Sequence, residues 1–141
     1  MKVIVCVDNS FGMTFNYRRL SRDRNVIADI MSLLDGDTLY MNNYSYRLFE
    51  KTGYAGIVVS NDFLDLCGED GTAFVENRHL QKYKEMIDCM VTYLWNRDYP
   101  SDRKLDVVPE EPDWELTDTT EFAGNSHDLI TRNTYVKREK D

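Results

Sequence analysis

Four arginines fall close together in this chain, Arg18, Arg19, Arg22 and Arg24, with Phe15 and Tyr17 beside them. A guanidinium meets a carboxylate or phosphate through two parallel hydrogen bonds, and an aromatic ring stacks on a base or on the guanidinium itself. This is the one basic cluster in a chain whose Lys+Arg 17 and Asp+Glu 25 leave a formal net charge of −8. Tyr17, Arg18, Arg19, Arg22 and Arg24 are therefore the candidates for contact with a phosphate, a nucleotide or an acidic protein surface. The plainer reading is a solvated loop that leads into a helix. Asp23 sits inside the cluster and is the candidate acid. A partly buried carboxylate there can hold a cationic heterocycle by two hydrogen bonds. The same position also suits a first-turn acid that complements a helix dipole, or an exposed ion pair with Arg22 or Arg24.

Other chemistry is sparse. His79 and His127 are far apart, and no His/Cys/Asp spacing suits zinc, so each reads as a lone surface histidine and no metal is expected. Cys6, Cys67 and Cys89 are odd in number and widely spaced, which gives no disulfide framework and no Cys-x-x-Cys pair. Cys6 and Cys89 read as structural, with Cys67 the more exposed. No P-loop, Gly-x-Gly-x-x-Gly or Gly-x-Ser-x-Gly motif occurs. From Leu105 to Thr131 there is no Lys or Arg, while Asp106, Glu110, Glu111, Asp113, Glu115, Asp118, Glu121 and Asp128 surround Trp114 and Phe122. Such a region can meet a basic partner or remain a solvated hairpin. The acidic balance argues against an extended nucleic-acid surface.

The elements that must position these residues follow from periodicity. With 141 residues, 42% hydrophobic and 30% charged, the chain has the composition of one globular domain, 1–141. Val3–Val7 is continuously apolar and reads as a strand buried on both faces, ended by the turn Asp8–Gly12. Ser21 reads as an N-cap of a helix near residues 21–34, with Val26, Ile27, Ile30, Met31 and Leu34 on one face. Strands follow at Thr38–Met41, Gly56–Ser60, Thr72–Val75 and Val91–Trp95. A weak amphipathic segment runs through Tyr46 and Phe49, and a short helix through Phe63, Leu64 and Leu66. A second full helix is expected near residues 79–90, from Leu80, Tyr83, Met86, Ile87 and Met90. Asp113–Leu116 and Thr131–Lys137 read as an antiparallel hairpin. The alternation implies an α/β fold with a mainly parallel, twisted central sheet and an antiparallel C-terminal hairpin. The opening apolar run is too short for a signal peptide or a membrane span, so a cytoplasmic setting is expected.

In this order the segments resemble the dihydrofolate reductase family. Val3 to Asp8 with Asn9 and Gly12-Met13 is similar to the family's opening strand and flexible loop. Leu20-Ser21-Arg22-Asp23 resembles its Leu-Pro-x-Asp segment, which places Asp23 at the position of the substrate-binding acid. Val91-Thr92 resembles the strand that supplies a threonine near that acid, and Tyr99-Pro100 the Phe-Pro that follows. Asp113-Trp114-Glu115, Asn125-Ser126-His127 and the strand to Arg138 look like the closing hairpin. On this resemblance Asp23 and Thr92 are the expected catalytic pair, and NADPH is the cofactor if the activity is kept.

The departures point elsewhere. Where the family has Gly-Arg after its second strand, this chain has Asn42-Asn43. Where it has a Gly-Gly turn, this chain has Phe74-Val75-Glu76-Asn77. Glycines let backbone N–H groups approach a pyrophosphate and arginine neutralises it, whereas Glu76 would repel it. The expected function is thus a reductase-like scaffold without reductase activity and without a cofactor. It would act as a binding or regulatory protein, with a protein partner or a small heterocyclic ligand, as a homo-oligomer through its aromatic surfaces, or as an acidic inhibitor of a nucleic-acid-handling enzyme. The alternative is an NADPH-dependent oxidoreductase, or another small-molecule enzyme that uses the same cleft.

Overall fold

The computed structural model describes residues 1–139. The strand β1 (Lys2–Val7) lies at the centre of a seven-stranded sheet because its side chains are apolar on both faces. Val3, Val5 and Val7 enter one core, and Ile4 enters the other. The remaining sheet strands are β4 (Leu39–Met41), β5 (Ile57–Val59), β6 (Thr72–Phe74), β7 (Cys89–Leu94), β9 (Trp114–Phe122) and β10 (Ile130–Lys137). Their spatial order is β5-β4-β6-β1-β7-β10-β9. The first five are parallel, and β10 and β9 are antiparallel. The mainly parallel sheet with an antiparallel C-terminal hairpin is as the sequence implied.

Helix α1 (Arg24–Leu34) buries Val26, Ile30 and Leu34 against one face, with α2 (Asn43–Phe49) beside it through Phe49. Asp23, not Ser21, is its N-cap: its side chain accepts from Asn25 N. The opposite face is covered by the short α3 (Phe63–Cys67) and by irregular chain that contributes Leu80, Ile87, Leu105, Val107 and Trp114. Cys67, expected to be the more exposed of the cysteines, is buried there, while Cys6 and Cys89 are half-buried. No helix among the described residues is long and apolar enough to cross a membrane.

The helix expected near residues 79–90 is absent. Only a 3-10 turn at Gln81–Tyr83 forms, and β7 has begun at Cys89. Tertiary pairing overrides the periodicity. The Met86 carbonyl accepts from the Met1 amino group at 2.8 Å, and Asp88 N donates to the Met1 carbonyl at 3.0 Å. A continuing helix would need those groups for itself. At the other end the Asp106 carboxylate takes the N–H groups of Leu80 and Gln81. Leu80 and Ile87 still reach the core, which is why the pattern resembled a helix.

A small second sheet, not foreseen, is formed by β2 (Gly12–Phe15), β3 (Arg18–Arg19) and β8 (Arg103–Lys104). The hairpin strand β9 runs on to Phe122, well beyond the expected Leu116. Part of its acidic charge is met internally: Arg132 pairs with Asp118, and Arg138 with Glu111 and Glu115.

Candidate functional site

Asp23 caps α1 at the carboxyl edge of the sheet, and its side chain is fully covered. Its Oδ1 accepts from Asn25 N at 2.9 Å and Asn125 N at 2.8 Å. Its Oδ2 accepts from Ser126 N at 2.8 Å and faces His127 Nδ1 at 3.2 Å. The carboxylate thus fastens the β9–β10 loop onto the start of α1. Burial alone would raise its pKa, but the amides of Asn125, Ser126 and Asn25, with His127, outweigh it and bring the carboxyl down to about 2. Gly124 makes the close approach possible, since a Cβ there would lie 2.5 Å from Asp23 Oδ2 and 2.6 Å from the His127 carbonyl.

His127 is not the lone surface histidine expected. Its side chain is 4% exposed. The ring stacks on Trp95 at 4.6 Å between centroids, and its Nε2 lies 3.0 Å from the Tyr99 hydroxyl. Ser126 Oγ donates to the Arg22 carbonyl. Facing a carboxylate oxygen, which only accepts, Nδ1 directs its hydrogen at Asp23. His79, by contrast, is exposed.

Thr92 does not join Asp23. It pairs with Val5 across β1 and β7, and Val5 belongs to the core on the far side of the sheet from α1. Its buried hydroxyl has no partner among the described residues. Its neighbour Tyr93 faces α1 instead and donates to Asp29 Oδ2 at 2.6 Å, beside Arg132 Nη1 at 2.7 Å. The alternation of Met90 and Thr92 against Val91, Tyr93 and Trp95 carried that information, because side chains along a strand alternate faces.

The arginine cluster separates into three. Arg19 turns inward and forms a two-point pair with Glu76, Nε to Oε2 at 2.8 Å and Nη2 to Oε1 at 3.0 Å. Ser45 Oγ donates to the same carboxylate, and the guanidinium lies 4.2 Å over the Tyr44 ring. Glu76 is thereby compensated by the chain itself. Arg22 and Arg24 lie with Arg47 and Lys51 around a groove between α1 and α2, floored by Ile27 and Leu48, with a volume of about 590 Å³. None of these four cations pairs with a carboxylate among the described residues. Tyr17 and Arg18 are at the tip of the β2–β3 hairpin, exposed.

Between Asp23 and Glu76 the cleft is almost filled. The space enclosed by Cys6, Asp23, Ile27, Phe74, Glu76 and Trp95 is about 10 Å³, room for no more than one water. Burial, and then the Glu76 carboxylate, push the Cys6 thiol far above its ordinary value, so it is no nucleophile at neutral pH. Directly after β6, Val75 to His79 open no helix and carry no glycine. Asn77 Oδ1 takes hydrogen bonds from Asn42 Nδ2 at 2.8 Å and Arg78 Nη1 at 3.1 Å, and Arg78 Nη2 reaches Asn61 at 3.0 Å. These side chains bond to one another across the ends of β4, β5 and β6, where α2 opens with Asn42 as its N-cap. No group of metal-ligating side chains occurs among the described residues.

No family model matches the sequence, and no curated protein matches it. Solved structures do. One is a dihydrofolate reductase from Enterococcus faecalis complexed with NADP(H) and RAB-propyl, similar at a TM-score of 0.68 with 9% sequence identity over 98% of this chain and 96% of that one. The chain therefore has a dihydrofolate reductase-like α/β fold over nearly its whole length, at an identity that establishes the scaffold alone.

Proposed function

We propose that this protein is a binding protein on a reductase-like scaffold, and that it holds an anionic small molecule with a flat apolar body in the groove between α1 and α2. The observation that carries this reading is the exchange of roles between two sites. The Asp23 carboxylate is taken by the chain's own amides beside a cavity of about 10 Å³. The neighbouring groove is of ordinary ligand size and gathers Arg22, Arg24, Arg47 and Lys51 over Ile27 and Leu48. Cations without carboxylate partners among the described residues, in a chain of net charge −8, favour an anion, and the apolar floor favours a ring. The acidic stretch supports the inhibitor reading less well, because Asp106, Glu111 and Asp118 have internal partners.

A second reading is an NADPH-dependent oxidoreductase, favoured by the NADP(H) complex of the structural neighbour. One set of measurements separates them: thermal shift with dihydrofolate, NADPH and ATP, and NADPH absorbance in the presence of dihydrofolate. A ligand at 100 times its Kd stabilises by about 2.7 kcal/mol. The binding reading expects stabilisation by an aromatic anion, lost in Arg47→Ser, without NADPH oxidation. Turnover at an ordinary enzymatic rate, or stabilisation that Arg47→Ser leaves intact, refutes it.

A further inference from the structure

Residues 12–19 form a hairpin whose two-residue turn is Asn16-Tyr17, with φ of 51° and 65°. Both central positions of such a turn require positive φ, and the backbone cost is least for Asn and Gly. Asn16 fits this rule, and its N–H is held by Asp102 Oδ2 at 3.0 Å. Tyr17 does not fit it. A bulky side chain in the left-handed region is strained. Tyr17 is 88% exposed, and among the described residues its side chain makes no hydrogen bond or ring contact. Nothing inside the chain offsets the strain, and a glycine at position 17 would serve the fold better. Strain of this kind points to function when the residue also presents a usable group.

The surroundings say what it presents. Phe15, on the adjoining strand, is 47% exposed. Arg18 is exposed and pairs with no carboxylate among the described residues. Arg103 and Lys104, on β8 next to β2, add cations to the same small sheet. Asp102 lies beside Tyr17, Arg103 and Lys104, and its Oδ2 accepts from Asn16 N–H. The tip therefore carries two exposed aromatic side chains beside three cations that form no ion pair among the described residues.

We infer that the β2–β3 hairpin is a docking finger for a partner protein: Tyr17 and Phe15 enter an apolar cleft, and Arg18, Arg103 and Lys104 meet carboxylates at its edge. Tyr, Phe and Arg are the residue types that anchor protein interfaces. A nucleic-acid strand is disfavoured, because the net charge of −8 repels a polyanion once it extends past the tip. This inference is independent of the α1–α2 groove.

The test places the photo-crosslinker p-benzoylphenylalanine at position 15 in the source cell, with position 66 on α3 as an exposed control. The protein adduct specific to position 15 is identified, purified and titrated against wild type, Tyr17→Gly and Arg18→Glu. The expected result is at least tenfold weaker binding for each variant, weakening of wild-type binding by salt, and a thermal midpoint for Tyr17→Gly equal to or above wild type. That midpoint shows the loss is not one of folding. No adduct above the control, equal affinity of the variants, or Tyr17-dependent binding of a fluorescent dT12 oligonucleotide in place of a protein each overturns the proposal.

Discussion

Asp23→Asn should destabilise the protein strongly at pH 7 and hardly at all near pH 2. The carboxyl is held at about 2 against an ordinary 3.8. At about 1.36 kcal/mol per pH unit, that difference is worth roughly 2.4 kcal/mol. The sign is that of a depressed acid: the contribution is full above about pH 4, where the unfolded chain is also ionised, and it fades as pH falls through 4 towards 2. Geometry gives a similar figure. The carboxylate accepts from three backbone N–H groups, of Asn25, Asn125 and Ser126. An asparagine NH₂ must face at least one of them, and a buried donor left without an acceptor costs about 1–3 kcal/mol. For a chain of this length roughly 2–3 kcal/mol corresponds to a fall in thermal midpoint of about 6–12 °C. Urea unfolding of both proteins at pH 7, 5, 3 and 2 reads the stability difference directly. Hydrogen exchange at the Asn125 and Ser126 amides reads the loop, and should quicken in the variant. A variant as stable as wild type at pH 7, or one equally weakened at pH 7 and pH 2, refutes the clasp. Unchanged stability with a lost ligand would return Asp23 to a binding role.

The same clasp makes Gly124→Ala unfavourable, by about 1–3 kcal/mol in urea unfolding, because its Cβ would lie 2.5 Å from Asp23 Oδ2. Breaking the Arg19–Glu76 pair from one side, with Arg19→Met, should cost about 3–5 kcal/mol, while Arg19→Met with Glu76→Met should recover most of it, since the uncompensated buried charge is then gone. A non-additive double-mutant cycle in denaturant measures this, and additive losses would contradict it. Ellman's reagent at neutral pH should find almost no reactive thiol in the native protein and all three after unfolding. Burial raises the pKa of Cys6, Cys67 and Cys89 alike.

Some of the chemistry was visible before the structure, and the limits have physical reasons. The arginine cluster was legible as residue types, but not as three separate destinations. Arg19 turned inward because Glu76, distant in sequence, offers it two oxygens and Ser45 shares them. Arg22 and Arg24 met Arg47 and Lys51 only because α1 and α2 pack side by side. Asp23 was singled out as a candidate acid, and the structure shows it as the cap of α1 and the clasp of the β9–β10 loop. Its partners, Asn125 and Ser126, stand about a hundred residues away, on a loop that no local pattern connects to it. Thr92 was misplaced by the family resemblance, although the alternation of its own strand already assigned it to the other face.

What the sequence determined by itself is the local and the periodic. The apolar run Val3–Val7 required a strand buried on both faces. The spacing of Val26, Ile30 and Leu34 required a one-faced helix. The absence of a helix pattern between the last two strands required a hairpin. These follow because side-chain hydrophobicity acts at the period of the backbone. Tertiary structure decided whatever depended on a partner far along the chain. It melted the pattern of residues 79–90 into a turn by pairing Met86 and Asp88 with Met1. It filled the cleft with an ion pair and a capped carboxylate, and it left four cations facing an open groove. Hydrogen bonds and ion pairs are short-ranged, so their partners are set by which surfaces the core brings together, and a single sequence does not display that proximity.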